Sequence, residues 1–176
     1  AVERGELALD CPVREIWPEI AAEGKAGLTL RMLLAHRGGL PGVRRPLPPE
    51  AMYDWSMMTS ALAAQAPYWA PDTAHGYHVN THGFLIGEPV ARRLGMSFGA
   101  ALRERLTGPL EADYHVGLPT QEHARVAPIA EADAAPVLDA QSAVRAHLTS
   151  GDPQTDEMLA SVYFNPLGIS GFGIVN

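Results

Sequence analysis

Tyr68-Trp69-Ala70-Pro71-Asp72-Thr73-Ala74-His75-Gly76-Tyr77-His78-Val79-Asn80-Thr81-His82-Gly83 is the stretch around which the chain is organised. Pro71-Asp72 favours a turn, and Gly76 lets the backbone bend or approach where a side chain would clash. An apolar, helix-like run follows from Thr81. The expectation is a tyrosine on a loop, held against the start of a helix. Buried tyrosines commonly just satisfy their hydroxyl, so a structural role for Tyr77 competes with a catalytic phenol.

Working outward, the apolar residues recur at helical spacing in most of the chain. Val13, Ile16, Trp17 and Ile20 predict a helix with Pro12 in its first turn, broken by Gly24 and Gly27. Thr29 is the expected N-cap of the next helix, which carries Leu30, Leu33 and Leu34 and ends at Gly38-Gly39. Leu40–Pro49 contains four prolines and reads as loop. Met52, Trp55, Met58 and Leu62 form one stripe of a helix opening at Pro49-Glu50 and ending at Pro67; methionines at such spacing are core. A helix from Thr81 to Gly95 contains Pro89, so it either kinks there or divides. Ser97 caps a further helix with Phe98, Leu102 and Leu106, stopped by Gly108-Pro109. Asp113–Leu118 reads as loop or short strand, and Leu7 to Leu9 as a short extended segment. Val137–Leu148 and the run after Asp152-Pro153 suggest two more helices, followed by a glycine-rich loop at Asn165–Gly173. The sum is a mainly α chain with long loops and few short strands, in one domain spanning residues 1–176.

Composition narrows the function. The 176 residues carry a formal charge of −7, and no basic cluster exceeds a pair. Arg44-Arg45 and Arg92-Arg93 read as solvated faces, and nucleic-acid binding is disfavoured. The longest apolar runs are far short of a membrane span. Cys11, the single cysteine, rules out an internal disulfide and reads as a packed thiol. The chain starts without a signal-peptide pattern, which favours a cytoplasmic over a periplasmic location. Ala1–Gly5 reads as the last turn of a helix whose beginning is missing, with Gly5 at its C-cap.

Three groups of residues invite chemistry. His75, His78 and His82 have spacings that zinc could use, but no carboxylate lies among them and no His-Glu-x-x-His is present, so no metal and no cofactor are expected. Gly168-Ile169-Ser170-Gly171-Phe172-Gly173 lacks the glycine two residues after serine that a nucleophile elbow needs, and reads as a surface loop. Tyr77 is a weak base in water and relays protons only beside cations that favour the phenolate. The only lysine, Lys25, falls on an expected loop between Gly24 and Ala26. The residues alone therefore favour the structural tyrosine.

The ordered set Glu3-Arg4-Gly5-Glu6-Leu7, Trp17-Pro18-Glu19, Leu33-Leu34-Ala35-His36-Arg37-Gly38-Gly39-Leu40-Pro41 and His75-Gly76-Tyr77-His78 resembles the serine β-lactamase-related hydrolases. The pattern is most similar to the family VIII carboxylesterases, which share a fold with class C β-lactamases and penicillin-binding proteins. Pro109-Leu110 and His115-Val116-Gly117-Leu118-Pro119 fit the same pattern. The resemblance implies the helical region of a β-lactamase/transpeptidase-like α/β + α fold, and an acyl-serine mechanism in which a Ser-x-x-Lys serine attacks and the lysine and a loop tyrosine move its proton. It assigns that tyrosine role to Tyr77. No serine here is followed three residues later by lysine, so the nucleophile and lysine are expected outside this chain, as is the family's late Lys/His/Trp-x-Gly strand. Lys25-Ala26-Gly27 and His36-Arg37-Gly38 mimic the spelling of that strand too early in the chain. Class C β-lactamases read Tyr-x-Asn, whereas Val79 stands in the third position and Asn80 comes one residue late. A one-residue shift on a helix turns a side chain by about 100 degrees, so Asn80 is no simple replacement. The resemblance thus implies a small-molecule ester substrate ahead of a β-lactam, with a β-lactamase or D-amino-acid peptidase, or a non-catalytic binding homologue, as alternatives. Trp69, His78 and the Tyr163–Gly173 loop are the expected pocket walls, and this chain alone is expected to be inactive.

Overall fold

The computed structural model describes residues 1–127. The expected helices at Val137–Leu148 and after Asp152, and the loop at Asn165–Gly173, lie outside the described residues. Among the described residues there are four α-helices: α1 (Leu30–Leu34), α2 (Trp55–Ala64), α3 (His82–Leu94) and α4 (Phe98–Leu102). Short 3-10 turns occupy Val13–Glu15, Pro18–Ala21, Pro49–Tyr53 and Thr120–Arg125, and a π turn, Arg103–Thr107, continues α4. Among the described residues there is no strand, and Leu7–Leu9 is not one. An isolated antiparallel bridge joins Pro12 to Thr29. Asp113–Leu118 is loop.

Several elements differ from expectation for local reasons. The helix expected over Val13–Ile20 is two 3-10 turns, because Pro18 lacks an amide hydrogen and forces Trp17 out of the helical region, to φ −126, ψ 79. The helix expected from Pro49 restarts at Asp54, whose extended backbone ends the 3-10 turn and whose carboxylate accepts from the Met57 amide at 2.8 Å. α1 is capped as expected, with Thr29 Oγ1 accepting from Met32 N, but it ends at Ala35 rather than Gly38. Ser97 caps α4, its Oγ accepting from Ala100 N. α3 runs unbroken past Pro89 and ends at Gly95 in the left-handed region, φ +66. At the first residues, Gly5 N–H bonds Val2 O and Glu6 N–H bonds Ala1 O, the paired bonds of a Schellman motif with Gly5 at φ +69.

α3 packs against α1, α2 and α4, and α2 also packs on the Pro18–Ala21 turn. Trp17, Ile20, Leu28, Leu33, Leu40, Leu62 and Leu85 are fully buried between these elements. Polar side chains stitch the periphery. Glu88 accepts from Trp55 Nε1 at 2.5 Å and from Arg92 Nε at 2.7 Å, while Arg92 also pairs with Glu19. Arg92 thus lies on an exposed face, as expected, but is tied into a side-chain network there. Arg44 likewise lies 3.9 Å over the Tyr68 ring and donates to the Ala66 carbonyl. Cys11 is exposed, not packed. Lys25 sits on a turn as expected, yet its side chain is fully buried. Its ammonium donates to the carbonyls of Ala22 and Gln65, holding that turn to the C-terminal end of α2. Burial lowers its pKa, with nearby Glu23 acting in the opposite direction. No helix among the described residues is long and apolar enough to cross a membrane.

Candidate active site

The Tyr68–Gly83 stretch is laid along a short spine, His36-Arg37-Gly38-Gly39-Leu40, which leaves the end of α1. The chain turns there because His36 adopts φ +56, its amide bonding Leu33 O and the Arg37 amide bonding Met32 O. This is a second Schellman motif, with histidine where glycine is usual. A non-glycine residue in this region is uncommon and held by its surroundings.

Backbone bonds then tie the two segments together. Tyr68 N–H donates to Gly39 O at 2.8 Å, Asp72 N–H to Arg37 O at 2.9 Å and Gly76 N–H to His36 O at 3.2 Å. The Arg37 guanidinium grips Asp72 through its carboxylate, at 2.5 Å, and its carbonyl. Gly39, at φ +73, must be glycine for a second reason: a Cβ there would stand 2.3 Å from the Trp69 carbonyl oxygen. The bend at Gly76 is the close approach expected of it, since a Cβ would lie 2.6 Å from the Trp69 ring.

His78 lies beneath this loop, fully buried. Its Nε2 accepts from Leu40 N at 3.1 Å and its Nδ1 donates to Gly76 O at 2.5 Å, so both ring nitrogens are used and the ring is neutral. Burial pushes its pKa down to about 4, reinforced by His36, His82 and His75 and opposed by the Gly76 bond. Thr81 Oγ1 donates to Leu40 O at 2.6 Å, so the loop holds both the amide and the carbonyl of Leu40. His82 opens α3, its ring 4.1 Å from that of His36, and burial lowers its pKa against a hydrogen bond with Leu33. His75 is exposed, 6.1 Å from His36. The histidines thus serve the backbone and one another. Among the described residues no three His, Cys, Asp or Glu side chains are placed to hold a metal ion.

Tyr77 stands out of this packed bed. It is 64% exposed, with its ring edge-on to His36 at a centroid separation of 5.0 Å. It lies five residues before α3 and is braced by the spine more than by the helix start. Trp69 is half-buried, its indole over Gly76 and T-shaped to His78 at 5.9 Å. Tyr77, Trp69 and His78 are therefore brought together, and the Tyr163–Gly173 loop lies outside the described residues. Sequence reasoning overlooked His36, which touches the rings of His75, Tyr77, His78 and His82. The sequence carried no signal for it, since Gly38-Gly39 offered the expected helix end and only the fold shows the turn at His36.

The comparisons place this arrangement in a known class. The fold is that of the β-lactamase and penicillin-binding-protein-like hydrolases. It matches the crystal structure of a penicillin-binding protein homologue from Caulobacter crescentus with TM-score 0.76 and 34% identity, over 95% of this chain and 41% of that one. A family VIII carboxylesterase matches with TM-score 0.70 and 37% identity, over 73% of this chain and 36% of that one. The esterase/beta-lactamase LipL of Mycobacterium tuberculosis is 34% identical over 118 residues, which cover 66% of this chain. The Beta-lactamase family matches residues 1–163, and the chain belongs to that family. It spans 27% of the length of LipL.

Proposed function

We propose that this chain is the central, mostly helical part of a serine hydrolase that cleaves small esters through an acyl-serine intermediate. An upstream serine attacks the ester carbonyl; an upstream lysine and Tyr77 carry its proton to the departing alcohol and then help water release the acyl group. Backbone amides stabilise the oxyanion. The observation that supports this reading is the exposure of Tyr77 directly beside a buried, fully bonded His78. A structural tyrosine would be the buried member of that pair. Trp69 is the proposed wall of the substrate cleft, and His78 supports it from behind.

Val79 favours an ester over a β-lactam, because it stands where class C β-lactamases carry the amide-binding asparagine. With both nucleophile and lysine lying elsewhere, residues 1–176 alone are expected to turn nothing over. The test is to assay the full-length protein with nitrophenyl esters beside a chromogenic cephalosporin. Faster ester turnover is expected. Preferred cephalosporin hydrolysis would reassign the substrate class, and failure to acylate with either would favour a non-catalytic homologue.

A further inference from the structure

We propose that His36 is the positioning residue for Tyr77, a role that rests on reading Tyr77 as the proton relay. It holds the chain on both sides of that tyrosine. Its carbonyl oxygen accepts from Gly76 N at 3.2 Å, and its Nδ1 accepts from His78 N at 3.1 Å. The residue before Tyr77 and the residue after it are thus fastened to one residue, and the same ring lies 5.0 Å from the phenol ring. With the left-handed turn at φ +56, carbonyl and imidazole reach the same strip of chain. That geometry explains why a non-glycine residue is kept in a conformation that ordinarily favours glycine.

The nitrogen that does this works only in the neutral ring. With Nδ1 accepting, the proton of neutral His36 sits on Nε2; a second proton would turn Nδ1 into a donor facing the His78 amide. The groups around it are His75, Tyr77 and His78 on the loop and His82 on α3, with the Arg37–Asp72 pair beside it on the spine. Burial, followed by the charges His82 and His75 would carry, holds the His36 pKa below the usual value. The acceptor is therefore kept available at neutral pH and is withdrawn on acidification, releasing the loop on the side of His78.

His36→Gly removes the acceptor while relieving the backbone turn, and His36→Asn keeps both an acceptor oxygen near the Nδ1 position and tolerance of the left-handed region. In the full-length protein, His36→Gly is expected to lower kcat for a nitrophenyl ester about ten- to a hundredfold with a much smaller change in KM, as misplacement of a reacting group does. His36→Asn should restore most of the kcat and hold it to lower pH than wild type, since asparagine does not titrate. Tyr77→Phe is measured alongside. If Tyr77→Phe is crippled while His36→Gly turns over normally, the positioning role is wrong and the relay reading stands. If Tyr77→Phe is itself near normal, the relay reading fails and this role falls with it. Failure of His36→Asn to rescue would overturn the acceptor argument. Should His36→Gly not fold, the pH profiles decide: coincident acid limbs for wild type and His36→Asn overturn the proposal.

Discussion

His78 makes a quantitative prediction about acid stability. Its ring is fully buried, accepts from Leu40 N and donates to Gly76 O, and its pKa falls from the usual 6.5 to about 4. Between those values the unfolded chain binds a proton that the folded chain refuses. Stability is therefore undiminished above the unfolded value and lost as the pH falls, by about 1.4 kcal/mol per unit. Down to pH 4 the loss from this one group is about 3 kcal/mol, a large share of a typical domain's stability. His78→Gln supplies a non-titrating side chain whose carbonyl oxygen can still accept from Leu40 N, at the cost of the bond to Gly76, about 1 kcal/mol at every pH. The assay is urea unfolding of the full-length protein and the variant, followed by tryptophan fluorescence, from about pH 7.5 to about pH 4.5. Over that range wild type should lose about 2–3 kcal/mol more than His78→Gln, so that an initial advantage at neutral pH disappears or reverses. His36 and His82 are also held low by burial but are present in both proteins, so their contribution largely cancels in the difference. Parallel stability curves would refute the account of His78 as a neutral, doubly bonded support.

Two further predictions concern the spine and the network on α3. Gly39→Ala should cost about 2–5 kcal/mol, because a left-handed turn and a clash with the Trp69 carbonyl add, whereas Gly5→Ala, also at positive φ but facing open space, should cost only about 1–2 kcal/mol. Thermal unfolding separates them, and equal shifts would show that the loop is not pinned at Gly39. Glu88→Ala leaves the half-buried Trp55 N–H and Arg92 without their shared acceptor and should cost about 1–3 kcal/mol by chemical denaturation, with Glu88→Gln intermediate. A neutral Glu88→Ala would mean the network is incidental to the fold.

Much of this architecture is readable in the chain because its signals are local. Thr29 and Ser97 cap the helices they were expected to cap, and Gly95 closes α3, since each acts through bonds within one turn. The stripe of Met58 and Leu62 is buried for the same reason. Boundaries failed where one residue outweighed the apolar period, as Pro18 does over Val13–Ile20 and Asp54 does before α2. The burial of Lys25 and the ion pair of Arg92 were not foreseen because their partners, Gln65 and Glu19, are distant in sequence. The candidate site divides in the same way. Tyr77 and the bend at Gly76 are visible in the motif, but the support is not, since it comes from His36 and Leu40 some forty residues earlier. The family resemblance supplied the tyrosine's role, and only the folded chain shows what holds it in place.

The most direct test of the account is Tyr77→Phe in the full-length protein. Tyr77 is 64% exposed, so loss of one hydroxyl should leave folding unchanged while removing the proposed relay. Turnover of a nitrophenyl ester should fall by about 10²–10⁴, the usual contribution of a positioned acid–base group, with the thermal midpoint preserved. Near-normal turnover by a correctly folded Tyr77→Phe protein would contradict the account.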